Sequence, residues 1–83
     1  MKIELNKVYR DRLKREWKIV VKYETYDHTT GKTRVRCIYI NKEQNDYGPC
    51  DENGKSWGME HLENYEDLIE LVGDDFTTQE FDE

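Results

Sequence analysis

A small, strongly bent antiparallel β-sheet carrying one C-terminal helix is the fold class this sequence predicts, mainly β within the α+β class. Three observations predict it. The run "WKIVVKYETY" (17–26) alternates along its length; "DHTTGK" (27–32) supplies a turn into a second extended run, "TRVRCIYIN" (33–41); and "NYEDLIELV" (64–72) has helical spacing. At 83 residues the chain makes one domain. A chain so short buries only about 60% of the surface its unfolded form exposes, so a thin core is expected. Apolar residues make up 35% and charged residues 39%, a balance that leans toward disorder. Two Trp, six Tyr, two Phe and several β-branched runs pull it back toward a folded, β-rich domain.

In chain order, "NKVYR" (6–10) reads as a short first strand anchored by Val8 with Leu5 beside it, and the polar "DRLKRE" (11–16) as a tight connection. In the second strand Trp17, Ile19, Val21 and Tyr23 point one way and Lys18, Val20, Lys22 and Glu24 the other, the pattern of a half-buried strand. Gly31 offers a positive φ to the turn that follows. On 33–41, Val35, Cys37 and Tyr39 share one face while Arg34, Arg36, Ile38 and Ile40 share the other. Both faces turn apolar toward the end of that strand, which predicts burial on both sides there. "KEQNDYGPC" (42–50) is a loop by composition, with Asn45, Asp46, Gly48 and Pro49 all turn formers.

Asn53-Gly54 predicts a type I′ hairpin joining short strands at about 50–52 and 55–59. For the helix at 64–72, Asn64 is a good N-cap, Glu66 and Asp67 favour the dipole of the first turn, and Gly73 is a stop. Tyr65, Leu68, Ile69 and Val72 would form its apolar stripe. Five short strands, tight turns and one late helix describe an SH3-like barrel, or a part-closed sheet, over residues 1–73. Residues 74–83 are acidic and without periodicity, and are expected as a disordered tail.

The start "MKIELNKVYR" lacks the apolar run of a signal peptide, and no stretch approaches the ~20 apolar residues that span a membrane. A cytoplasmic chain with no membrane partner is expected. Cys37 and Cys50 belong to no CxxC or Cys/His cluster, so two free thiols are expected, Cys37 as a small core residue.

Charge is unevenly divided. Residues 1–42 hold 12 Lys/Arg against 5 Asp/Glu, a net +7, whereas residues 43–83 hold 1 Lys against 14 Asp/Glu, a net −13. Either the halves lie side by side and neutralise each other, or each faces a partner.

Catalytic signatures are missing: there is no nucleophile elbow, P-loop, GxGxxG or HExxH, and His28 and His61 have no paired residue in sequence. A protein without enzymatic activity, cofactor or metal is expected. Lys18 and Lys22 on the second strand, with Arg34 and Arg36 on the third, would converge if the 27–32 turn pairs the two strands. Trp57 and Tyr39 lie nearby in the chain and offer rings beside the guanidinium groups, as do Tyr26 and Tyr47. Stacking plus a bidentate phosphate clamp is what a nucleotide-type ligand requires. A chain of pI near 4.9 would repel a long phosphate backbone, so stable nucleic-acid binding is not expected.

Three segments, "VYRDR…EWKIVV", "DENGKSWG" and "NYEDLIELV", together resemble a group of small phage and prophage proteins. In that group a Tyr-x-x-Arg strand leads through a turn into the first long strand. An Asp-x-x-Gly-Lys/Arg hairpin follows, and an Asp-Leu-Ile/Val-Glu helix closes the chain. The resemblance covers residues 8–72 and departs at the first turn, where the group has a glycine and this chain has Leu13-Lys14. It implies a phage-encoded accessory protein of SH3-like form, acting in the bacterial host cytoplasm against host defence.

Residues and resemblance together lead to an anti-defence protein that binds and withholds a nucleotide-type immune signal without turnover. Arg34, Arg36, Lys18 and Lys22 would hold phosphates, and Trp57 or Tyr39 would lie against a base. A small monomer can hardly enclose such a ligand, which points to a homo-oligomer. The alternative is an inhibitor of a host defence protein that uses its acidic helix and tail to imitate DNA.

Overall fold

In a computed structural model, residues 2–77 are described. They form five strands: β1 (Val8–Asp11), β2 (Glu16–Asp27), β3 (Lys32–Ile40), β4 (Tyr47–Asp51) and β5 (Leu68–Gly73). All neighbours are antiparallel in one open sheet of order β4-β3-β2-β1-β5. The sheet bends enough that Leu68 N, at the start of one edge strand, donates to Gly54 O, just beyond the other, at 2.8 Å.

Two turns are built alike. Asp11 accepts from Leu13 N and Arg15 N through one carboxylate oxygen, while Lys14 N donates to its carbonyl. Asp51 does the same with Asn53 N, Lys55 N and Gly54 N. This is a three-residue loop whose last residue is left-handed, and Lys14 (φ 67) and Gly54 (φ 87) fill that slot. Lys14 therefore takes the conformation that a glycine adopts without strain. Asn53 has no positive φ, so the expected type I′ turn is corrected to this bulged form. Only an isolated bridge, Cys50 to Ser56, stands where a strand at 55–59 was expected.

A buried cluster of Ile3, Tyr9, Trp17, Ile19, Cys37, Tyr39, Cys50 and Leu68 makes the core. Asp11 lies within it and also accepts from Arg15 Nε and Trp17 Nε1. Cys37 and Cys50, both free and buried, face each other across β3 and β4. Their mutual hydrogen bond and burial push the Cys50 thiol upward, so it stays protonated.

Three expectations are overturned. The C-terminal helix is not formed: among the described residues there is no helix, and Leu68–Gly73 pairs with β1 instead. Asn64 does cap locally, accepting from Glu66 N, but one turn is all that follows. Without β5 the inner edge of β1 would expose unpaired backbone groups, and pairing outweighs helical spacing. Of the expected apolar stripe only Leu68 is buried; Tyr65 and Ile69 are exposed.

Second, part of the loop at 42–50 is strand β4. Pro49 O accepts from Trp57 N, on the side away from β3, so the missing proline N–H falls on that same outer side and the β3 ladder loses nothing.

Third, an extra residue at Val20 interrupts the pairing of β2 with β3: Ile19 faces Tyr39, but Val21 faces Ile38. Beyond this bulge every side chain of β2 changes face. Val21 and Tyr23 join Ile38 and Arg36 outside, and Lys22 moves to the side of Cys37.

Residues 74–77 of the expected tail lie against the sheet, with Asp74 paired to Lys7 and Thr77 bonded to Glu16. Residues 78–83 of that tail lie outside the described residues. No helix among the described residues is long and apolar enough to cross a membrane.

Candidate functional site

The β2–β3 hairpin carries the best-formed candidate site. Thr25 pairs with Arg34 and Tyr23 with Arg36, so the bulge sets this face of β2 beside both arginines. The segment after β4 folds along the edge of the sheet and brings Trp57 over them. The Arg34 guanidinium carbon lies 4.2 Å and that of Arg36 5.3 Å from the indole centroid. Thr25, Tyr26, Asp27, His28, Thr29, Gly58 and Glu60 complete the walls of an open groove of about 610 Å³. Tyr26 and His28 stack edge-to-face at 4.8 Å at its rim.

The two arginines differ in their surroundings. Arg34 donates to Asp27 at 3.2 Å and to Glu60 at 2.6 Å. Glu60, then Asp27, raise its already high pKa. Burial pushes Glu60 up, but Arg34 and backbone amides outweigh it, leaving the carboxyl below its ordinary value. Asp27 is held low first by the Thr29 amide and also by Arg34. Arg36 donates from Nη1 to Tyr23 Oη at 3.2 Å, and its Nε is buried with no hydrogen-bond partner among the described residues. Among the described residues no carboxylate forms an ion pair with it.

Of the residues singled out from sequence, the structure brings Arg34, Arg36 and Trp57 together. Lys22 lies on the opposite face and donates to Ile3 O at 2.9 Å. Lys18 pairs with Ile40, several residues along the strands from Arg36. Tyr39 is buried in the core against Trp17, with ring centroids 4.8 Å apart, and burial pushes its hydroxyl pKa up. Asp27 and Glu60, the partners of Arg34, were missed. Asp27 opens the turn and could have been suspected; Glu60 carries no signal in sequence.

Elsewhere four ion pairs join the basic and acidic halves. Lys2 pairs with Glu52, Lys7 with Asp74, Arg10 with Glu70 and Arg12 with Asp67. The acidic surface required for DNA imitation thus loses its helix and has Glu70 and Asp74 engaged. Among the described residues no group of His, Cys, Asp and Glu side chains could hold a metal ion. A second groove, of about 340 Å³, lies between Arg15, Trp17, Lys42 and Phe76. It mixes both signs of charge, from Glu16, Glu43 and Asp46 as well, and has no orphaned buried donor among the described residues. No protein-family model matches the chain, and no curated protein or solved structure is found to be similar to it.

Proposed function

We propose that this chain is a non-catalytic binding protein whose Trp57 groove takes an anionic, nucleotide-type ligand. The observation that carries the reading is Arg36: a guanidinium in a groove wall under Trp57 that forms no ion pair among the described residues, its cross-strand neighbour Asp51 accepting instead from the Asn53 and Lys55 amides. A ligand phosphate in the groove would meet the Arg36 guanidinium through a charge-assisted hydrogen bond. Tyr26, exposed at the rim, and Trp57 offer aromatic surface worth ~1–3 kcal/mol per stacked base. The resemblance to small phage proteins supports the biological form of the reading, sequestration of a nucleotide immune signal in the host cytoplasm. No observation favours the DNA-imitation alternative.

The test is depletion and release on a panel of linear and cyclic nucleotides, with affinities followed by tryptophan fluorescence in a Trp17→Phe background, which leaves Trp57 as the reporter. One class of nucleotide should be retained and then recovered intact. Arg36→Ala should weaken its binding at least tenfold, about 1.4 kcal/mol. Retention of none, recovery of a cleaved product, or binding untouched by Arg36→Ala would overturn the proposal.

A further inference from the structure

Glu60 occupies an unusual place in this groove. One of its oxygens, Oε2, accepts from both Arg34 Nη2 at 2.6 Å and the backbone N–H of Gly58 at 3.1 Å. A guanidinium and a backbone amide converging on one oxygen beside an indole make a ready seat for an anion. Gly58 is left-handed (φ +84), and a side chain there would meet nothing within 4 Å, so the groove is open beside the amide. Glu60 sits on a loop of short turns, Met59 N to Ser56 O and Leu62 N to Met59 O, held at its ends by Trp57 N on Pro49 O and Lys55 Nζ on Leu62 O. The second carboxylate on Arg34 is anchored differently. Asp27 reaches Nη1 and is fixed in the hairpin turn by Thr29 N at 2.9 Å.

We propose that Glu60 is a built-in occupant of the phosphate position. Its carboxylate holds the seat between Arg34 and the Gly58 amide that a phosphate group of the ligand takes on binding. This rests on the nucleotide-binding reading and specifies it: the ligand must present a phosphate or pyrophosphate. A phosphate has enough oxygens to meet Arg34 Nη2, the Gly58 N–H and the Arg36 guanidinium, which shares the Trp57 ring with Arg34. Glu60 reaches the first two and leaves the third unmade. Asp27 stays and keeps Arg34 oriented. Because Glu60 competes from within the chain, the apparent affinity is reduced by the fraction of molecules in which the seat is filled.

The experiment titrates inorganic phosphate, pyrophosphate and a nucleoside diphosphate into the full-length wild type, Glu60→Gln and Asp27→Asn at raised salt. Salt mutes the general loss of one negative charge, which both substitutions share. Glu60→Gln should bind pyrophosphate about tenfold tighter, and Asp27→Asn should bind no tighter than wild type. In the wild type the Gly58 amide resonance should shift on saturation with pyrophosphate, a readout that needs no variant. If wild type binds but Glu60→Gln gains nothing and the Gly58 amide stays put, Glu60 is not a phosphate stand-in, and the broader reading survives. If neither wild type nor variant binds any phosphate-bearing probe, both fall.

Discussion

Replacing Asp67 with alanine should strongly destabilise this protein, though Asp67 lines neither groove described above. Its side chain is 1% exposed, and its two oxygens gather the connection between β4 and β5. Oδ1 accepts from Ser56 N at 3.0 Å; Oδ2 accepts from Asn64 N at 3.0 Å, from Lys55 Nζ at 2.9 Å and, more weakly, from Arg12 at 3.5 Å. Asp67→Ala orphans two backbone amides, that of Ser56 being buried, and removes the carboxylate facing Lys55. Each orphaned donor costs about 1–3 kcal/mol, and breaking a buried ion pair about 3–5 kcal/mol in all. Because Lys55 keeps Leu62 O and partial solvent, a total of about 3–5 kcal/mol is expected. Total stability for 83 residues is about 4–12 kcal/mol, so roughly half of it would go. Asp67→Asn, with one acceptor oxygen left, should lose about 2–3 kcal/mol. Urea unfolding followed by Trp17 fluorescence measures both. A loss below about 1 kcal/mol for Asp67→Ala would mean that water replaces these bonds, and the account of how β5 is positioned would be refuted.

Two further outcomes follow from the same geometry. Burial pushes the Asp67 carboxyl upward, but the Asn64 and Ser56 amides and Lys55 outweigh it and hold it below its ordinary value. A depressed carboxyl contributes stability that is complete above its unfolded pKa of about 3.9 and is lost as pH falls through the lower folded value. Urea midpoints should therefore drop steeply below about pH 4 in the wild type, and Asp67→Asn should flatten that drop; parallel curves would disprove it. Lys14→Gly should raise stability by about 0.5–1 kcal/mol, because the left-handed backbone at φ 67 strains a lysine. Thermal unfolding would show a rise of a few degrees, and a fall would mean that the lysine side chain earns its place by contacts.

Much of the hairpin is legible in sequence. The alternation of 17–26, the turn with Gly31 at positive φ and the inward Trp17, Ile19, Cys37 and Tyr39 need only local chemistry and a period of two. The aspartates that open the two bulged turns were not read from sequence, although each bonds within four residues of itself, and Asn53-Gly54 pointed to a type I′ turn instead. Of the candidate site, Arg34, Arg36 and Trp57 were readable as residues, but their meeting was not. A single extra residue at Val20, with no mark in sequence, moves Tyr23 toward Arg36 and turns Lys22 away. The stretch at 68–73 satisfies a helix by spacing and a strand by its β-branched residues, and the unpaired edge of β1 decides between them. Glu60 meets Arg34 across 26 positions and Asp67 meets Arg12 across 55, and nothing in either neighbourhood announces the partner. The sequence by itself determined turns, strand periodicity and the division of charge, because each is a property of adjacent residues. Only the tertiary structure decided faces, the identity of β5 and the pairing of those charges, because backbone pairing and desolvation act between segments far apart in the chain.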